Sequence, residues 1–182
     1  SIVPLPAVRI LYTEDGESYA AEVPARAYTP DIAHRAYHRY FVPYIRIHNH
    51  DAAAFSGTIR FEMAVCDGEP ELISVHRGFG ELDALALLPL IRGELSALLN
   101  ACTDGTLTRE KVRIQEQACV VLMLGAGKNG VPIRGLADVA KSTGVFMGTV
   151  RFTEGQMRTA GYRALFVCGR APDIYTAARA AR

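Results

Sequence analysis

The most regular pattern in the chain is the alternation over residues 58–65, where Ile59, Phe61, Met63 and Val65 share one face and Thr58, Arg60, Glu62 and Ala64 the other. A period of two with one apolar face predicts a half-solvated strand in an antiparallel sheet. Asp67-Gly68 then turns the chain into a second extended run, Glu71 to His76, because a tight hairpin turn needs residues that tolerate positive φ. Val8 to Tyr12 and Tyr19 to Val23 repeat the device around Asp15-Gly16.

Helical spacing takes over at Glu81 to Ala101, which carries Leu82, Leu85, Leu88, Leu95, Leu98 and Leu99. This predicts one long core helix over about 81–101, with Pro89 and Gly93 as kink or break points. Thr29-Pro30-Asp31 has the chemistry of a helix start: a capping hydroxyl, a proline suited to the first helical position, and an acid that complements the dipole. The helix is expected over 30–41, ended by Pro43, with Tyr44 to His50 continuing as a strand. Further strands are expected from Val112 to Leu124, Val145 to Thr153 and Tyr162 to Cys168, with a short helix at Leu136 to Ser142 and an Ala-rich helix over 173–182. Hairpins in the first half and no regular β-α-β alternation give an α+β fold. The expected form is a mixed, mostly antiparallel sheet with the long helix packed on it and shorter helices near 30–41 and 173–182. The chain has no internal repeat and no Ser/Pro-rich linker, so residues 1–182 read as a single domain.

Composition adds little to this picture. Apolar residues make up 49% and charged residues 21%, with a formal net charge of +1, which fits a folded globular protein and gives no global field for nucleic acid or membrane. The bases are lopsided, 17 arginines to 3 lysines. Cys66, Cys102, Cys119 and Cys168 are dispersed beside apolar or small residues, with no C-x-x-C pair, which predicts reduced, buried thiols. Neither a signal peptide nor a membrane-length apolar run is evident, so a cytoplasmic protein with no membrane partner is expected.

Three segments carry candidate chemistry. Gly125-Ala126-Gly127-Lys128-Asn129-Gly130 follows the apolar run Ala118 to Leu124 and spells G-x-G-x-x-G, the arrangement that offers backbone N–H groups to a pyrophosphate. Gly125, Gly127, Lys128 and Gly130 are therefore the candidate cofactor-binding residues. Pro132 and Gly135 shorten any following helix, and Asn129-Gly130 is a hairpin turn in its own right, so a turn is the favoured reading. The test is geometric: parallel neighbouring strands with a helix at the third glycine would support nucleotide binding. The second segment places His34 and His38 on one helix face and His48 and His50 on one strand face, beside Asp51. Their spacing matches no zinc motif, and no metal or cofactor is expected. The third is the Arg/Tyr-rich stretch Arg35, Arg39, Tyr40, Tyr44 and Arg46, suited to a protein interface or to stacking on single-stranded nucleic acid.

No H-E-x-x-H or G-x-S-x-G occurs, and the carboxylate pairs Glu69/Glu71 and Asp15/Glu17 flank turns. The sequence alone thus points away from an enzyme. The expected function is a non-enzymatic structural or interaction protein, a subunit of a homo-oligomer or larger assembly, partnered by itself or another protein. Two alternatives stand beside it: a nucleotide- or phosphate-ligand enzyme using the 125–130 glycine loop, with Lys128 as anion partner, and a single-stranded nucleic-acid-binding protein using the 35–46 segment.

Overall fold

A computed structural model of the chain describes residues 2–49, 55–125, 127–139 and 143–182. In chain order the elements are β1 (Arg9–Tyr12), β2 (Ser18–Val23), α1 (Pro30–Ala36), a π-helical turn (Tyr37–Phe41), α2 (Val42–Asn49), β3 (Ile59–Cys66), β4 (Glu69–Arg77), α3 (Glu81–Leu87), β5 (Ile91–Arg92), α4 (Leu95–Thr103), β6 (Arg113–Ile114), β7 (Ala118–Leu124), β8 (Thr143–Met147), β9 (Val150–Thr153), β10 (Gln156–Thr159), β11 (Leu165–Ala171) and α5 (Ile174–Ala180). The fold is α+β and its described strand pairings are antiparallel. Two compact units form, neither continuous in sequence. One holds residues 1–7, 25–81 and 91–114, the other residues 8–24, 82–90 and 115–182.

In the first unit, α1, the π-turn and α2 form a helical run packed on the β3–β4 hairpin. Thr29 caps α1 through its hydroxyl, which accepts from Ile32 N–H at 3.3 Å, with Pro30 in the first turn. Pro43 does not end the run, and the strand expected over Tyr44 to His50 is helix α2 as far as Asn49, with His50 outside the described residues. The reason is the π-turn: Val42 N–H reaches back to the Tyr37 carbonyl, and this wider winding accommodates a proline that cannot donate. Phe61 of β3 then packs against Phe41 and Tyr44, at ring-centroid distances of 4.3 and 5.3 Å. The hairpin turn is built as its Asp-Gly letters require, with Asp67 at φ 51° and Gly68 at φ 78°.

The long helix expected over 81–101 does not form. α3 gives way to a 3-10 turn at Leu88–Leu90, then β5, and α4 begins at Leu95. Pro89 brings no N–H to the helical ladder and Gly93 sits at φ 97°, so both take the break that their chemistry allows. β5 pairs with β6 instead.

The second unit is a five-stranded sheet in the order β1-β2-β7-β11-β8. α5 starts at the Asp173 cap, whose carboxylate accepts from Thr176 N–H at 3.0 Å, and covers the sheet through Ala118, Val120, Ala171 and Ala177. Contact is close because Gly169 of β11 lies beneath it. A Cβ there would fall 2.6 Å from Ala181 N and closer still to the Ala177 carbonyl. The short helix expected at Leu136 to Ser142 is a 3-10 turn over Leu136–Asp138, with residues 140–142 outside those described. The strand expected over Val145 to Thr153 is divided into β8 and β9, and β9 pairs with β10, a strand the sequence pattern did not announce.

Candidate functional site

The β3–β4 hairpin carries a compact polar cluster on one face. Glu62 of β3 lies directly opposite Ser74 of β4, and Arg60 lies opposite His76. The Ser74 hydroxyl donates to Glu62 Oε2 at 2.8 Å and lies 2.8 Å from His76 Nε2, while His76 Nε2 is 3.5 Å from the same carboxylate oxygen. A carboxylate, a hydroxyl and an imidazole thus converge on one point, at a place open to solvent, with a guanidinium on the same face.

A β-bulge creates the cluster. From the turn outward, Cys66 pairs with Glu69 and Met63 with Leu72, but Glu62 pairs with Ser74, leaving Ile73 as the extra residue. One inserted residue exchanges the faces of everything beyond it. Ser74 and His76 therefore join Glu62 and Arg60, Val75 falls opposite Phe61, and Ile73 is left 65% exposed.

Such a cluster is not a serine-hydrolase triad. His76 presents the same nitrogen to both Ser74 and Glu62, whereas a triad needs the second ring nitrogen on the carboxylate. It suits a cation better. Donors sharing an octahedral ion at bond lengths of about 2.1 Å sit about 3 Å apart on adjacent vertices, and these three atoms are 2.8, 2.8 and 3.5 Å apart. Among the described residues no group of three or more His, Cys, Asp or Glu side chains assembles to hold a metal; this cluster brings together two such side chains, with a serine hydroxyl as the third donor.

The residues singled out from sequence are placed differently. Residues 127–130 form no helix at the third glycine, and Ala126 lies outside the described residues. Gly130 N–H donates to the Thr159 carbonyl at 2.6 Å, and the Lys128 carbonyl accepts from the Thr159 hydroxyl at 3.0 Å. β7 and β8 are not neighbours, since β11 lies between them and runs antiparallel to both. Arg35 is held by Asp31, by Glu69 at 3.4 Å and by the Gly68 carbonyl at 2.7 Å, and the Tyr40 hydroxyl donates to the Pro70 carbonyl at 2.9 Å. Arg39 lies over the Tyr40 ring, and Tyr44 packs between His48 and Phe61. Arg46 lies in the last turn of α2. The Arg35, Tyr40 and Tyr44 contacts fasten the helical run to the hairpin. His34 and His38 meet edge-on at 4.4 Å, and His50 and Asp51 lie outside the described residues.

The cysteines divide in two pairs. Cys66 is exposed and Cys102 partly so, which corrects the expectation of four buried thiols, whereas Cys119 and Cys168 are buried and 3.1 Å apart. The hydrogen bond with Cys168, and then burial, pushes the Cys119 thiol up from its ordinary range. Cys119 faces Arg170 in register, so the two cysteines are diagonal across β7 and β11. Diagonal pairs place their Cα atoms about 7–8 Å apart, beyond ordinary disulfide reach.

No family model matches the chain. The chain is 31% identical over 163 residues to a phosphoribosylamine–glycine ligase of Phenylobacterium zucineum, covering 85% of this chain and 38% of that protein. It is 27% identical over 151 residues to the enzyme of the same name in Mesorhizobium japonicum, covering 79% and 36%. Among solved structures, the phosphoribosylamine–glycine ligase of Thermotoga maritima superimposes with a TM-score of 0.81 at 20% identity, covering 98% of this chain and 47% of that one. At that identity the likeness is one of fold. N5-carboxyaminoimidazole synthase of Aspergillus clavatus, solved with ADP and 5-aminoimidazole ribonucleotide, matches with a TM-score of 0.63 at 13% identity, covering 98% and 45%. The chain therefore spans little more than a third of the length of the ligases it matches in sequence. These likenesses overturn the expectation of a non-enzymatic structural or assembly protein, since the proteins it resembles over most of its length are enzymes that form bonds. No helix among the described residues is long and apolar enough to cross a membrane.

Proposed function

We propose that this chain forms part of a nucleotide-dependent ligase, with the Arg60/Glu62/Ser74/His76 face of the β3–β4 hairpin receiving the phosphate end of an adenine nucleotide. The observation that carries the reading is the 31% identity to a phosphoribosylamine–glycine ligase over 85% of the chain. The neighbour solved with ADP supports the choice of nucleotide. The two ligase types share one substrate chemistry, an amine borne on a ribosyl phosphate, and the same class is assigned here, with a small carboxylic acid such as glycine as the second component.

Joining an amine to a carboxylate requires that a carboxylate oxygen become a leaving group. Transfer of the terminal phosphoryl group of ATP to that oxygen releases ADP and gives an acyl phosphate. Attack by the amine then forms the C–N bond and expels phosphate. A divalent cation, when bound, neutralises charge on the nucleotide phosphates. The chain's own groups divide the remaining work. Glu62, Ser74 and His76 hold the cation, and Arg60 meets phosphate oxygens with a planar, permanently charged fork.

The test is ADP release from ATP by the 182-residue chain. Release is expected to rise when phosphoribosylamine and glycine are supplied together, and to fall by about 100-fold in Arg60→Ala, as for loss of a phosphate-stabilising charge. No release above buffer with any substrate combination would overturn the proposal.

A further inference from the structure

From the donor set of the β3–β4 cluster we infer that this chain's cation site selects a divalent first-row transition ion over Mg²⁺. The inference deepens the proposed function and rests on its placement of the cation. Mg²⁺ is a hard ion that takes oxygen ligands and keeps much of its water. Here one of the three converging donors is the Nε2 atom of His76, and only one is a carboxylate oxygen. Imidazole is a good ligand for Zn²⁺, Co²⁺, Ni²⁺ and Fe²⁺, and affinity for such a mixed site rises along the first-row series. The site is also part-built before any ion arrives. All three donors stand on one face of a two-stranded ribbon, their register fixed by the bulge at Ile73, and their separations of 2.8–3.5 Å already approach those on the face of a coordination octahedron. An ion seated there replaces the Ser74–Glu62 hydrogen bond and leaves its outward positions for water or phosphate oxygen.

Co²⁺ alone is the probe, because its visible d–d bands report nitrogen ligation without any turnover. The chain carries a competing surface pair in His34 and His38, four residues apart on one helical run, so titrations are made in the His34→Ala background. Co²⁺ is expected to give bands that His76→Ala abolishes and that Glu62→Gln weakens by about tenfold or more in affinity, and about a hundredfold excess of Mg²⁺ should leave them in place. Bands unchanged in His76→Ala, ready displacement by Mg²⁺, or no bands at all would each overturn the inference. Both side chains are part-exposed, and Glu62→Gln preserves shape, so unchanged melting curves separate loss of a ligand from loss of the fold. Failure here is distinguishable from failure of the ligase reading. ADP release without cobalt bands rejects the ion preference alone, and cobalt bands without ADP release reject the ligase alone.

Discussion

Replacing Gly169 by alanine tests how α5 is held to the central sheet. Gly169 sits on β11 beneath the helix, and an added Cβ would stand 2.6 Å from Ala181 N and 3.0 Å from the Ala180 carbonyl carbon, with the Ala177 carbonyl oxygen closer still. Every one of these atoms is backbone, so no side-chain rotation relieves the clash. Helix and strand must move apart by about 1 Å to restore ordinary contact, since packed interiors have no spare room. That displacement loosens Ala177 and Ala181, now 0% and 3% exposed. Overpacking of this kind costs about 1–3 kcal/mol, which for a chain of this length lowers the melting temperature by about 2–12 °C. Far-UV circular dichroism melts of the variant and the parent measure it. Gly127→Ala is the control, because nothing lies within 4 Å of a Cβ at that position, and its melt should match the parent. A Gly169→Ala melt within about 1 °C of the parent would show that α5 does not rest on the strand as described.

Three further outcomes follow from particular groups. Burial raises the Tyr28 phenol above its ordinary range, so its contribution to stability is complete below about pH 10 and is lost as pH rises through the folded value, because the unfolded chain gives up that proton first; denaturant midpoints measured from about pH 8 to 11 should show a steeper alkaline loss in the parent than in Tyr28→Phe. Thiol titration of the native chain should label Cys66 at once and Cys102 more slowly, while Cys119 and Cys168 react only in denaturant; rapid labelling of either buried cysteine would contradict the sheet register. Lys128→Ala should leave ADP affinity within about twofold by calorimetry, because Lys128 and Gly130 engage Thr159 through their backbones and no helix begins at Gly130; a loss of about tenfold would return that loop to the nucleotide site.

The two Asp-Gly hairpins were legible from sequence because turn chemistry is local: Gly16, Asp67 and Gly68 all take the positive φ that their letters imply. The 3-10 break at Leu88–Leu90 was harder to see, because leucines continue at helical spacing on both sides of Pro89 and Gly93, and only the pairing of β5 with β6 settles the break. Helix α2 was hidden for a related reason, since the π-turn that carries the chain past Pro43 leaves no mark in apolar periodicity. The cluster on β3–β4 was missed because its members become neighbours only through the bulge. Counting outward from Asp67-Gly68 without an insertion sets Ile73 against Glu62 and turns Ser74 and His76 to the other face. The one available signal was the apolar match of Phe61 with Val75, which requires the extra residue. The function was misjudged from the absence of familiar motifs, whereas the candidate chemistry here lies in strand register rather than in a contiguous motif.

Hydrogen exchange of the chain with and without saturating ADP tests the central claim most directly, because it reports both whether the nucleotide binds and where. Ligand at about 100 times its dissociation constant stabilises the bound state by about 2.7 kcal/mol, enough to slow exchange markedly in the segments it touches. The account predicts slowed exchange in β3 and β4, over Ile59–Cys66 and Glu69–Arg77, and its disappearance in Arg60→Ala. Protection confined to residues 125–130, or no change anywhere in the chain, would contradict it.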